Sequence, residues 1–102
     1  MAANEIHLND VGTIFEVTVQ DDGVVVDISA ATTKEIIFKK SRGEVVTKAA
    51  VFTTDGLDGK MRYVTVEGDL DERGQWELQA HVVLSSGDWR SDVDVFTVFP
   101  NL

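Results

Sequence analysis

The sequence contains no cysteine and only one proline among its 102 residues. Without cysteine, the chain cannot form disulfides, thiolate nucleophiles or cysteine-ligated metal and iron–sulfur sites. Its stability must therefore come from side-chain packing and backbone hydrogen bonds. The single proline, Pro100, lies at the end of the last apolar segment, where its missing N–H interrupts no central strand pairing.

Long apolar runs and an excess of basic residues are also missing. No stretch approaches the roughly 20 apolar residues of a membrane-spanning helix. The start, MAANEIHLND, lacks the basic and apolar regions of a secretory signal. The formal net charge of −9 disfavours binding to nucleic-acid phosphates and to anionic membranes. We therefore expect a protein that folds in a cytoplasm and binds neither nucleic acid nor membrane.

What the sequence does contain is a regular alternation of apolar and polar residues. The alternation is clearest at residues 15–20 and 75–84, and it has the period of two that is typical of half-buried strands. The same period predicts that Val24, Val26 and Ile28 share the inward side of another strand.

Turn signals rich in Gly, Asp and Ser separate these segments at intervals typical of a β-sandwich. Residues 34–40 could briefly be taken for a helix, but Ile36, Ile37 and Phe38 favour a strand. Strands are predicted at residues 5–9, 15–20, 24–28, 32–40, 44–52, 60–66, 75–84 and 89–99. We therefore predict one all-β domain over residues 1–102, an immunoglobulin-like antiparallel β-sandwich of seven to eight strands with no disulfide.

The acidic segment DLDERGQW, residues 69–76, is predicted to form the corner before one of these strands. Asp71 or Asp69 is expected to cap the turn by accepting backbone N–H bonds, with Leu70 inserted beneath it. Gly74 is expected to take the backbone conformation that leads into the strand. Trp76 then begins the inward-facing stripe and fills one end of the sandwich.

The order of the turn motifs along the chain carries a resemblance to a known family. These motifs are VGT at 11–13, DDG at 21–23, VDISAAT at 26–32, IIFKKSRGEVV at 36–46, DGLDGKMRY at 55–63, LDERGQW at 70–76 and WRSD at 89–92. From about residue 11 to residue 99 the chain resembles the N-terminal domain of upper baseplate proteins of tailed bacteriophages. That family consists of small immunoglobulin-like virion modules.

The resemblance implies a non-enzymatic structural protein of the virion, in the tail, the baseplate or another part of the particle. Its partners would be other virion structural proteins, with repeated copies or a homo-oligomer in a symmetric assembly. The protein would be assembled in the host bacterial cytoplasm and would reside in the virion. Family members usually continue into a fibre-like or receptor-binding region, so a chain of 102 residues is expected to be a free-standing subunit or a short module.

Residues that could carry chemistry are few and scattered. A metal site needs three or four convergent ligands, and nothing in the sequence places His7 and His81 together. The acidic groups at residues 55–58 and 69–72 resemble fragments of a calcium loop, but Asp and Gly are also the residues that turns use. No Gly-x-Ser-x-Gly element is present. We therefore predict no catalytic, cofactor or metal site.

Outward-facing apolar residues give the clearest signal of function, because several together would mark a protein contact. Strand parity places Val25, Ile37 and Val83 on outward faces, and Trp89 and Arg90 lie beside a turn where they could be exposed. These five residues are the predicted interaction residues.

An alternative function is a carbohydrate-binding or cell-surface adhesion module, because sandwiches of this size often present aromatic rings on which sugars stack. Trp89 is the leading candidate for such a ring, with Tyr63 or Trp76 beside it.

Overall fold

A computed structural model describes residues 6–101, in which the secondary structure consists of strands joined by turns and loops. No helix in that range is long and apolar enough to cross a membrane. The described residues form eleven strands: β1 (Ile6–His7), β2 (Ile14–Thr18), β3 (Gln20–Asp21), β4 (Val24–Val25), β5 (Thr33–Lys39), β6 (Val45–Ala49), β7 (Val51–Phe52), β8 (Lys60–Val64), β9 (Gly74–Leu84), β10 (Gly87–Arg90) and β11 (Asp94–Phe99).

The strands form a large sheet, a small sheet and a separate hairpin. The large sheet has the order β1-β11-β9-β5-β6, the small sheet has the order β2-β8-β7, and β3 pairs with β4. β9 is the longest strand; Gly74–Leu78 pair with β11, and His81–Leu84 pair with β10. Among the described strands, β1 and β11 pair in parallel and all other pairs are antiparallel.

The two sheets bury the apolar residues that alternate along their strands. The ring of Phe15 in β2 lies 4.7 Å from the ring of Phe96 in β11, and Phe38 in β5 lies 6.1 Å from Tyr63 in β8, measured between centroids. The small sheet therefore packs with β2 over β11 and β8 over β5. The core residues are Phe15, Val17, Val19, Ile28, Ile36, Phe38, Ala50, Met61, Leu70, Trp76, Leu78, Ala80, Val82 and Val98.

The all-β, sandwich-like class predicted from the alternation is confirmed, but the strand boundaries differ. Residues 44–52 were predicted as one strand, whereas the chain leaves the large sheet at Ala50, whose N–H bonds the carbonyl of Lys34, and enters the small sheet as β7. Residues 89–99 are also divided. The hydroxyl of Ser91 accepts the N–H of Ala80 at 2.8 Å in place of a backbone carbonyl, which interrupts the strand pairing.

The prediction that Val24 faces inward is wrong. Its side chain is 69% exposed, because β4 is a two-residue strand that pairs with β3 outside both main sheets. The chain turns back to the core afterwards, where Val26 is half-buried and Ile28 is buried. Glu5, the first residue of the strand predicted at 5–9, lies outside the described residues.

Candidate docking surfaces

The corner predicted at residues 69–76 closes one end of the core. Trp76 is 2% exposed, and its indole N–H donates to the carbonyl of Glu72 at 3.0 Å. Leu70 is also buried, and Gly74 has a φ of +118°, which side chains other than glycine rarely adopt. A Cβ on Gly74 would also lie 2.8 Å from the Cβ of Ser41. The corner therefore requires glycine for both conformation and space.

Asp69, and not Asp71, binds the backbone at this corner. Its carboxylate accepts the N–H of Val66 at 2.8 Å, the hydroxyl of Tyr63 and the ammonium of Lys48 at 3.0 Å. Burial alone would raise the pKa of Asp69, but these three hydrogen bonds stabilise the charged form and lower the pKa below 3.8. Asp71 instead pairs with the ammonium of Lys40 at 2.8 Å.

Tyr63 supports the same carboxylate from the small sheet. Burial, followed by the hydrogen bond to Asp69 and the negative charge of that carboxylate, raises the pKa of Tyr63 to about 12. A cavity of about 60 Å³ lies beside this cluster, lined in part by Lys40, Lys48 and Trp76. That volume holds only a few water molecules. We therefore assign the polar cluster to the support of the corner.

The carboxylates of the acidic turn at residues 55–58 also accept hydrogen bonds from the backbone within or just after the same turn. Asp55 accepts the N–H of Leu57, and Asp58 accepts the N–H of Lys60, both at 3.0 Å. Within residues 6–101 no three His, Asp or Glu side chains are arranged to hold a metal ion.

The predicted interaction residues do not form one surface. The registers place Ile37, Val83 and Arg90 on the outer face of the large sheet, where Ile37 and Val83 are half-buried. Trp89 pairs with the buried Val82 and therefore faces the core side of that sheet. Val25 lies in the β3–β4 hairpin, exposed but close to the backbone of residue 59.

The outer face of the large sheet has an apolar centre, and the predicted interaction residues include only part of it. Ile37 lines a shallow groove of about 180 Å³ together with Val45 and Val93, and the charged Lys39 and Glu77 border it. The exposed Val95 lies opposite Glu77 in the adjoining strand. The same parity rule that selected Ile37 would have found these valines if it had been applied to residues 44–52 and 89–99.

His81 joins three strands on this outer face. Its Nδ1 lies 2.7 Å from a carboxylate oxygen of Glu35 in β5, and its Nε2 lies 2.7 Å from one of Asp88 in β10. The three side chains therefore hold the β9–β10 hairpin against the centre of the large sheet.

The rings considered for carbohydrate binding also lie apart. Trp76 is enclosed in the core, and the hydroxyl of Tyr63 is bound by Asp69. Trp89 is half-buried on the inner side of β10. These three rings form no common platform.

Comparisons with known proteins agree with this architecture. A family model described as the BppU N-terminal domain matches residues 6–99. The crystal structure of CopC from Methylosinus trichosporium OB3b is similar with a TM-score of 0.59 and 17% sequence identity, over 97% of this chain and 89% of that one. At this identity the likeness shows the fold alone. No match was found among curated proteins.

Proposed function

This chain belongs to the family of BppU N-terminal domains, found in bacteriophage baseplate upper proteins, and from that premise we propose that it is a non-enzymatic structural module that docks to neighbouring virion proteins. The observation that carries the proposal is the family match, which spans residues 6–99 of the 102. Residence in the virion, assembly in the host cytoplasm and a single-domain organisation belong to the same proposal.

We place the docking contact on the outer face of the large sheet. Its apolar centre, formed by the half-buried Ile37 and the exposed Val45, Val93 and Val95, is bordered by charged side chains, the arrangement typical of non-obligate protein interfaces. The face spans β6, β5, β9 and β11, and Ile37 lies in β5, which pairs with β9 along Thr33–Lys39. Because Ile36 and Phe38 on the other side of β5 are buried in the core, the platform is rigid and loses little entropy on binding.

Binding to virion particles tests this proposal. The full chain, immobilised on a sensor, should capture purified virions or baseplates of the phage that encodes it. Val93→Glu should weaken that binding at least about tenfold, because it buries a charge in the apolar centre. Val51→Glu is the matched control, since Val51 is exposed to a similar degree, 58% against 52%, but lies in the small sheet.

The result that would overturn the proposal is equally specific. The protein would be missing from purified particles by mass spectrometry and would fail to bind them, or Val93→Glu would bind as tightly as Val51→Glu does. Far-ultraviolet circular dichroism of each variant checks that it is folded.

A further inference from the structure

β6 is the strand at one end of the large sheet, and in the described part of the chain it pairs with β5 alone. The N–H of Lys40 bonds the carbonyl of Glu44 at 2.8 Å, and the N–H of Ala50 bonds the carbonyl of Lys34 at 3.0 Å. In an antiparallel pair the bonded positions alternate, so the even-numbered residues of this strand bond β5. The backbone N–H and C=O groups of the odd-numbered residues in Val45–Ala49 therefore point to the open edge.

This edge lacks the features that usually prevent strand association. Native edge strands are protected by charges, prolines or bulges. The edge-bonding residues Val45, Thr47 and Ala49 are exposed and uncharged, and Val45 is 60% exposed. Lys48, the charged residue of the strand, is half-buried and bound to Asp69 at 3.0 Å.

The edge is also complementary to itself. If two β6 strands pair antiparallel about a two-fold axis at Thr47, Val45 lies opposite Ala49 of the second copy and Thr47 lies opposite its own equivalent. Val46 then lies opposite Lys48, so no two charges of the same sign face each other. The outward backbone groups of the odd-numbered residues all find partners in this register.

β2 provides the contrast, since it is an edge strand of the same length at the border of the small sheet. Bonds from Thr65 N–H to the carbonyl of Thr13 and from Val19 N–H to the carbonyl of Gly59 leave the even-numbered residues of β2 at its open edge. Glu16 is the central one. A two-fold pairing there would set two glutamates directly opposite each other, which is destabilising.

The charges around β6 also permit contact between two acidic molecules. Lys40 is paired with both Glu44 and Asp71, and Lys48 with Asp69. Because the two lysines offset two of these three carboxylates within each copy, two copies of a chain with a net charge of −9 meet at this end with less repulsion than at an unpaired acidic surface.

We propose that β6 is a self-association edge, at which a second copy of this chain adds its own β6 antiparallel and joins the two large sheets into one. Such a dimer specifies the repeated copies that the family resemblance implies, and it rests on the proposed function for its place in an assembly. A contact of five residues per strand is smaller than a standard interface. It is therefore weak in dilute solution and becomes effective where docking holds copies together.

Sedimentation velocity of the full chain, from about 10 µM to about 1 mM, tests the proposal. We expect a reversible monomer–dimer equilibrium in the wild type. Thr47→Lys should weaken it at least about tenfold, because like charges then meet at the two-fold axis. Thr47→Pro should do the same by removing an outward N–H that β5 does not use. Thr97→Lys is the matched control and should dimerise normally, since Thr97 is exposed within β11.

A wild type that stays monomeric throughout this range would overturn the proposal, as would an oligomer that both Thr47 variants leave unchanged. Circular dichroism identifies a variant that fails to fold, and the two Thr47 substitutions act by different means. Val93→Glu should retain the dimer while losing particle binding. A monomeric wild type that still binds virions would therefore reject the β6 edge alone, and a dimer that binds no virion would reject the docking function alone.

Discussion

The two tryptophans both lie on the core side of the large sheet, Trp76 in β9 and Trp89 in β10, but different contacts hold them. Trp76 at the corner is 2% exposed, and its N–H reaches a backbone carbonyl at 3.0 Å. Trp89 in the β9–β10 hairpin is half-buried, and its N–H lies 3.4 Å from a carboxylate oxygen of the exposed Asp21. Trp76 is therefore enclosed by the core, whereas Trp89 is only partly covered by its neighbours.

The difference follows from what surrounds each ring. Trp76 lies beside Phe96 at 5.6 Å between centroids, under a corner held by the Asp69 carboxylate. Trp89 lies on the narrow part of the large sheet, where its ring packs over Gly87. Closure by a hydrogen-bonded corner makes the first site rigid. The second depends on side-chain packing, which can adjust.

The largest expected effect is the difference in stability lost when each of the two tryptophan rings is removed. Trp76→Ala should lower the free energy of unfolding by about 4 kcal/mol, because it leaves a cavity in the closed end of the core. Trp89→Ala should cost about 1 kcal/mol, since its ring is already partly in water. Urea unfolding followed by circular dichroism measures both. Equal losses would show that the hairpin is as firmly packed as the corner.

The next effect concerns the aspartate that holds the corner. Asp69→Ala should cost about 2 kcal/mol, because the Val66 N–H, the Tyr63 hydroxyl and Lys48 lose their acceptor. Asp71→Ala is the matched control and should cost about 0.5 kcal/mol, as expected for an exposed ion pair. The same urea experiment compares the two variants, and the reverse order would assign the corner to Asp71.

Because the pKa of Asp69 is lowered in the folded protein, its stabilising effect is present above its ordinary pKa of 3.8 and is lost as the pH falls through the folded value. Stability measured between pH 6 and pH 2 should therefore fall less steeply in Asp69→Asn than in the wild type.

A smaller effect should be seen in alkali. Tyr63 is the single tyrosine of the chain, so the ultraviolet absorbance of tyrosinate reports its ionisation alone. Its pKa should lie near 12 in the folded protein against an ordinary 10.0. The folded state keeps the proton longer, so this contribution to stability is complete below pH 10 and is lost as the pH rises through 12. Tyr63→Phe should lack that loss, and a wild-type titration near 10 would contradict the burial of the phenol.

The smallest effect tests how Trp89 is packed. A Cβ at Gly87 would lie 2.8 Å from the ring of Trp89, so Gly87→Ala should move the ring at a cost below about 1 kcal/mol. Fluorescence in a Trp76→Phe background reads Trp89 alone, since the chain has two tryptophans. The spectrum should shift in Gly87→Ala and stay unchanged in Ser85→Ala, an exposed position in the same turn. No shift would mean that the ring does not rest on Gly87.

Much of the fold could be predicted because alternation reports which side of a strand is buried. Phe15, Val17 and Val19 are buried as their spacing indicated, and the stripe that begins at Trp76 is buried as well. Alternation does not report which sheet a strand joins. The crossing at Ala50 therefore left no signal in the sequence.

The division at Ser91 was hidden for a similar reason, because it depends on a hydroxyl that meets an N–H of a neighbouring strand. Likewise, the choice between Asp69 and Asp71 is made by Tyr63 in β8, the strand just before the corner, and by Lys48 in β6, and the local sequence does not show which carboxylate these side chains meet. The open edge of β6 is visible only once its neighbours are known. The local alternation of apolar residues thus predicts the strands and the face of each that is buried. The pairing of the strands determines which residues form the exposed surfaces.

The position of β9 has a mechanical consequence. It pairs with β5 from Glu77 to Val83 on one side and with β11 and then β10 on the other. A tensile load applied along β9 would act on both ladders simultaneously, and their bonds would have to rupture collectively in shear. A module built this way resists extension at its centre even when its borders peel.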